Sequence, residues 1–280
     1  MRFLLLPVAL LLVFLSSARA GAFPDFSGGR YVNMGSSFAA GSGVDPVRPG
    51  SVPRCRQSGE NYASLLAERL DLELEDRSCA GATSKHLLEP WKDLPPQIEA
   101  VNRDTRLVTI TVGGNDLNYV RNLVAASCIV EEGLSFGGKK MPCFAEERVV
   151  EEVYEALVFN LRQISERIAQ RAPQAMIVFI QYVTLIPSEL CDATPLTPDE
   201  GHRLRRIGVR LAAITASVAS ESGAMLLSTD TLSALHTACD VDPWSIGGRT
   251  TANNMDGIIW HPNRRGNAII AQRLQEMLSP

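Results

Sequence analysis

Two adjacent serines, Ser36 and Ser37, lie in G-S-S-F-A-A-G, Gly35–Gly41, directly after the apolar run Tyr31–Met34. A serine hydroxyl is a poor nucleophile until a base takes its proton, and a turn of small residues after a strand exposes that hydroxyl to an incoming carbonyl. One of only four histidines, His261, stands in D-G-I-I-W-H-P-N, Asp256–Asn263, just ahead of the last helical stretch, and is the candidate base. Two other loops supply donors of the kind that stabilise an oxyanion: C-A-G-A-T, with Gly81, and G-G-N-D, with Asn115. Each feature alone has a plainer explanation. Ser37 suits a helix N-cap, Gly81 a turn, Asn115 an amide bonding its own loop, and His261 a helix entry before proline. Considered together, they form one hydrolytic constellation.

Residues so far apart in the chain converge only if regular elements bring them together. Five short segments read as buried parallel strands: Tyr31–Met34, Leu72–Leu74, Leu107–Val112, Ala175–Ile180 and Ala224–Leu227. Apolar residues at helical spacing mark Glu60–Leu70, Val149–Ala172 and Pro198–Ser222, and a helix over Asn267–Leu278 closes the chain. Strands alternating with helices predict an α/β fold with a parallel sheet covered on both faces, and such sheets bind ligands beyond the carboxyl ends of their strands. The Gly-rich loops follow the first three strands. None shows the spacing of a nucleotide-binding loop.

The first twenty residues combine Arg2, the apolar run Phe3–Leu15 and Ser-Ser-Ala-Arg-Ala, which is the pattern of a cleaved signal peptide. The run is shorter than the roughly 20 residues a membrane span requires, so export without a retained anchor is expected. Residues 21–280 are then expected to form a single domain, since no linker, repeat or low-complexity tract interrupts them. A net charge of -4 gives no reason to expect nucleic acid or an anionic membrane as partner. The protein is expected to be a monomer. Cys55, Cys79, Cys128, Cys143, Cys191 and Cys239 make an even number in an exported chain, which favours three disulfides. Sequential pairing needs the shortest loops, each bridge stabilising by about 2–4 kcal/mol. No C-x-x-C or nearby histidine pair suggests a metal site.

The four loops in chain order resemble the Ser, Gly, Asn and His blocks of the SGNH hydrolases, the GDSL family of esterases and lipases. Gly35-Ser36-Ser37 aligns with the first block, Gly81 with the second, Gly113-Gly114-Asn115-Asp116 with the third and His261-Pro262-Asn263 with the last. The resemblance implies a flavodoxin-like three-layer α/β/α sandwich on a five-stranded parallel sheet, with Ser37 as nucleophile and His261 as base. It implies an oxyanion hole from the backbone N–H groups of Ser37 and Gly81 and the side-chain amide of Asn115, with no cofactor and no metal. The six cysteines and Q-Y-V-T-L-I-P, Gln181–Pro187, are similar to a secreted branch typical of actinobacterial lipases. Its sequential bridges imply Cys55–Cys79, Cys128–Cys143 and Cys191–Cys239. The reaction implied is hydrolysis of a carboxylic ester through an acyl-serine, with lipid or short-chain acyl esters first and acetylated sugars second. The insertion Leu117–Val149 is expected to shape the acyl pocket.

Two departures from the family pattern stand out. Ser36 replaces the aspartate usual before the nucleophile, and Ile258 occupies the place three residues before His261 where the family often has aspartate. An imidazole needs a partner that fixes its tautomer, so either Asp256 or a backbone carbonyl near Ile258 must serve, the carbonyl being preferred. The rival classes are an exported binding module that kept the fold without turnover, and a glycoside hydrolase working through Asp116. His86, His202 and His236 have no motif context.

Overall fold

Tyr31, Val32 and Met34 are completely buried, and they form the middle of β1, Arg30–Gly35, flanked on both sides by other strands. A strand apolar on both faces must be covered on both faces, and a parallel sheet between helices provides that cover. The computed structural model describes residues 26–129, 132–136, 139–249 and 256–279; the expected leader, residues 1–20, lies outside them. The remaining strands are β2 (Glu73–Asp76), β3 (Thr105–Thr111), β4 (Leu134–Phe136), β5 (Lys139–Met141), β6 (Met176–Ile180) and β7 (Met225–Leu227). Five of them make one parallel sheet in the order β2-β1-β3-β6-β7, and β4 and β5 form a separate antiparallel pair.

The helices are α1 (Ser37–Ala40), α2 (Tyr62–Leu70), α3 (Ser84–Leu88), α4 (Tyr119–Ala126), α5 (Glu151–Arg171), α6 (Pro198–Ser222), α7 (Thr229–Leu232) and α8 (Arg264–Leu278). α2 packs on α8, while α5 packs on both α3 and α6, and α4 on α6. With the sheet, they give the three-layer α/β/α architecture expected for an SGNH hydrolase. Among the described residues, no helix is long and apolar enough to cross a membrane. The bridges Cys55–Cys79, Cys128–Cys143 and Cys191–Cys239 are formed, which is the sequential pairing.

Local chemistry sets the helix ends. Thr197 and Glu200 cap α6 reciprocally, Pro198 opens it, and left-handed Gly223 ends it. Asn263, the last residue of H-P-N, accepts from Gly266 N–H, so α8 begins at Arg264, one turn before the expected Asn267. The second strand also differs from expectation, lying at Glu73–Asp76 where the apolar pattern pointed to Leu72–Leu74. It is an edge strand that pairs only with β1 and is part-exposed, so Glu73 and Glu75 stay in reach of water, while the buried Asp76 side chain is satisfied by hydrogen bonds. The insertion 117–149 carries α4 and the β4–β5 pair rather than being loop throughout.

A buried polar network ties the start of the site to this frame. Asp76 accepts from Asn33 Nδ2 at 2.9 Å, Asn61 Nδ2 at 2.8 Å and Ser78 Oγ at 2.6 Å. Asn33 and Asn61 also donate to the carbonyls of Ala39 and Ala40 at the end of α1. Asn61 further caps α2 by accepting from Ser64 N–H at 2.8 Å. Asn61→Ala therefore removes a cap worth about 1 kcal/mol and leaves buried partners unsatisfied at about 1–3 kcal/mol more. Denaturant melts should show a stability loss in that range, and a loss below about 0.5 kcal/mol would show that the network does not anchor α1.

Candidate active site

β1 delivers the serine pair. Gly35 closes the strand at φ +142, and a Cβ there would lie 2.2 Å from the Thr111 carbonyl oxygen, so only glycine lets the chain turn this close to β3. Ser37 is then the first residue of α1, with Ser36 buried behind it. His261 comes from the loop before α8, and its Nε2 lies 2.8 Å from Ser37 Oγ. The two residues are 224 positions apart in the chain.

The other ring nitrogen, Nδ1, lies 2.8 Å from the backbone carbonyl oxygen of Ile259. A carbonyl can only accept, so Nδ1 carries the proton and Nε2 presents its lone pair to the serine hydroxyl. Asp256 does not take this place. It ion-pairs with Arg264 at 3.7 Å, and Arg264 also binds Glu60, so the carboxylate is held at the α8 entrance. A half-exposed carboxylate beside a guanidinium is better satisfied than one buried beside an imidazole would be.

The imidazole is only 7% exposed. Burial pushes its pKa down to about 4; the Ile259 bond pulls it up in part, and the charge of Arg56 pushes it further down. The base is therefore neutral over the ordinary pH range. Its backbone is set by Trp260, which has φ +57, is completely buried and donates from its indole nitrogen to Ser127 Oγ at 3.0 Å. A bulky residue in the left-handed region is costly, and the surrounding structure must hold it there. Ile246 N–H completes the clamp by donating to the His261 carbonyl at 2.9 Å.

The second and third loops interlock at the carboxyl ends of β2 and β3. Gly81 has φ +85. The Asn115 side-chain amide donates to the Ala82 carbonyl at 2.8 Å, which spends one N–H and leaves the other for the cavity. Asp116, the next residue, accepts from Ser84 N–H at 3.0 Å and from the Ser84 hydroxyl. That carboxylate thus braces α3 against the G-G-N-D loop, and it does not line the cavity that holds Ser37.

Ser36 has a partner that sequence reasoning missed. Its Oγ lies 2.8 Å from Tyr182 Oη, which also accepts from Gly114 N–H at 3.1 Å. The hydroxyl pair links the residue before Ser37 to the residue before Asn115, spanning the gap that the missing aspartate leaves. Tyr182 follows the carboxyl end of β6 within Gln181–Pro187, and nothing local in that segment points to Ser36.

Ser37, Gly81, Asn115 and His261 all line one cavity of about 660 Å³. Val120, Val124, Phe144, Ile258 and Ile259 give it apolar walls, and Arg54, Arg56 and Arg121 give it charge. α4 and Phe144 belong to the insertion that Cys128–Cys143 closes. The arrangement can activate a serine hydroxyl and offer N–H donors to a neighbouring oxyanion. His86 and His236 stack on Trp91 and Trp244, and His202 lies on exposed α6; none reaches the cavity.

The chain is similar in sequence and in fold to known lipases and esterases. The family described as GDSL-like lipase/acylhydrolase matches residues 34–269. Lipase 2 of Streptomyces coelicolor is 28% identical over 265 residues, covering 89% of this chain and 85% of its own. The crystal structure of phospholipase A1 from Streptomyces albidoflavus NA297 superposes with a TM-score of 0.68 at 20% identity, covering 88% of this chain and 99% of that one. The extracellular lipase of Streptomyces rimosus gives 0.66 at 21% identity over the same shares.

Two measurements test the positioning. In Tyr182→Phe the bridge between Ser36 and Gly114 is lost, and turnover on a soluble ester should fall about 10- to 100-fold with little change in KM. Unchanged kcat would show that the bridge is incidental. The acid limb of kcat/KM should have an apparent pKa near 4, because activity requires neutral His261 and disappears as that group protonates. A limb near 6.5 would mean that the imidazole is hydrated.

Proposed function

Because the chain belongs to the GDSL-like lipase/acylhydrolase family, we propose that it hydrolyses carboxylic esters through an acyl-enzyme on Ser37. His261 Nε2 takes the hydroxyl proton as Ser37 Oγ attacks the ester carbonyl. The carbonyl oxygen becomes an oxyanion that the N–H groups of Ser37 and Gly81 and the Asn115 amide stabilise, each such donor contributing about 10²- to 10³-fold in rate. The imidazolium then protonates the leaving alcohol. Water, deprotonated by the same nitrogen, attacks the acyl-serine and regenerates the hydroxyl.

The contact between Ser37 Oγ and His261 Nε2, made while Ile259 fixes the opposite nitrogen, carries this reading. A carbonyl in place of a carboxylate makes the site a dyad. It keeps the tautomer and gives up part of the stabilisation of the imidazolium. The intact contact also favours turnover over a silent binding module.

The apolar walls from Val120, Val124, Phe144, Ile258 and Ile259 suit an acyl chain, which supports lipid or short-chain acyl esters over acetylated sugars. Three disulfides support export, since such bonds persist in oxidising compartments. The similar protein from Streptomyces rimosus is itself an extracellular lipase.

Ser37→Ala should lower turnover of p-nitrophenyl esters about 10⁴- to 10⁶-fold, and a fluorophosphonate should label the unaltered protein at Ser37 alone. Equal rates from both forms would end the nucleophile assignment. Chain-length preference among the same esters distinguishes lipid from acetyl substrates.

A further inference from the structure

The cavity beside Ser37 is lined by three arginines and, among the described residues, by no carboxylate, in a chain whose formal charge is -4. Two of the arginines are engaged. Arg54 donates to the Trp91 carbonyl at 2.8 Å and pairs with Asp93 at 3.1 Å, and Arg121 pairs with Glu147 at 2.9 Å. Arg56 differs. It is exposed, and no hydrogen bond or ion pair joins its guanidinium to any described residue.

Its backbone is held in place all the same. Arg56 follows the short 3₁₀ turn Pro53–Cys55 with φ 52 and ψ 41, a left-handed conformation uncommon for a residue with a side chain. Cys55, the preceding residue, is bridged to Cys79, and Ala80 N–H donates to the Cys55 carbonyl at 3.0 Å. Cys79 leads directly into Ala80-Gly81. A covalent and hydrogen-bonded clamp therefore sets Arg56 relative to the loop that presents Gly81, where the ester carbonyl oxygen would point. An unpaired guanidinium matches the oxygens of a phosphate or carboxylate, often with two parallel bonds. The apolar residues Val120, Val124 and Phe144, from the insertion, already provide for the acyl chain.

We propose that Arg56 is a specificity-determining residue that binds an oxyanion on the alcohol part of the ester, so that esters of anionic alcohols are the favoured substrates. The proposal rests on the serine-hydrolase reading above.

The test compares kcat/KM by pH-stat within two pairs of esters. One pair is butyryl glycerol and butyryl glycerol 3-phosphate, with the charge on the alcohol. The other is methyl hexanoate and methyl hydrogen adipate, with the charge on the acyl part. The unaltered enzyme should prefer the phosphorylated member of the first pair roughly 10- to 100-fold, mainly through KM. It should show no preference for the charged member of the second.

Arg56→Gln should bring the first preference close to unity, and Arg56→Lys should keep part of it. Rising salt should shrink it. As a readout without variants, inorganic phosphate should slow fluorophosphonate labelling of Ser37 more than chloride at equal ionic strength. Equal rates within the first pair, a preference confined to the acyl-side pair, a preference that survives Arg56→Gln, or absent phosphate protection would each overturn the proposal. A protein that turns over none of the esters and leaves Ser37 unlabelled would instead reject the hydrolase reading, and the proposal with it.

Discussion

Burial of the His261 imidazole is the constraint from which the site's other features follow. A residue that is 7% exposed takes a second ring proton only at a desolvation cost, so the imidazole is neutral until the pH falls to about 4. A neutral imidazole has one donor and one acceptor, and the acceptor serves catalysis only if the donor is satisfied elsewhere. The Ile259 carbonyl does this without bringing a second charge into the apolar region. A buried carboxylate would stabilise the imidazolium more, but it would need partners of its own, and the nearest candidate, Asp256, has found them in Arg264. Trp260 holds an unfavourable backbone conformation in which the carbonyl of residue 259 and the ring of residue 261, on either side of it, meet at 2.8 Å across a very short stretch of chain.

A fixed base is useful only if the donors opposite it are equally fixed, and each loop at the sheet's carboxyl rim is braced by a neighbour. Asn115 is tied to the Gly81 loop through Ala82, Asp116 to α3 through Ser84, and Gly114 to the serine turn through Tyr182 and Ser36. The carbonyls at the end of α1 are held by Asn33 and Asn61, which Asp76 orients in turn. Burial raises the Asp76 pKa, while its hydrogen bonds oppose that shift. Donors that are already in place need no reorganisation when charge develops, and that preorganisation is the main source of oxyanion stabilisation. Ser36 in place of aspartate therefore does not leave a hole, because a longer residue reaches in from just past β6 to meet it.

What could be read in the sequence was set by how strongly each position is constrained locally. β1, β3 and β6 are buried on both faces and announce themselves as apolar runs, and α6 carries its start and stop signals in Thr197, Glu200 and Gly223. The loops bearing Ser37, Gly81, Asn115 and His261 were legible because small residues and short polar motifs are needed wherever a strand turns into a ligand-facing loop. β2 was misplaced because an edge strand is free of the two-sided burial that makes strands recognisable. The Ile259 carbonyl and the Tyr182 hydroxyl lay beyond reach for a different reason. A backbone carbonyl has no residue signature, and a tyrosine within an apolar stretch looks like core until its neighbour 146 positions away is known.

In the proposed mechanism the charge of Arg56 bears on two stages of the reaction. It disfavours protonation of His261 in the free enzyme, which keeps the base available at low pH. At the tetrahedral stage the same positive charge opposes the imidazolium and favours the oxyanion. The two new charges are equal in size and close together, so to first order their interactions with a third charge nearby cancel. A guanidinium in this position can therefore hold an anionic substrate without slowing the chemical step, which places its effect in binding. An acidic residue there would gain nothing from the same cancellation and would repel the substrate, in keeping with a cavity wall that carries arginine and no carboxylate.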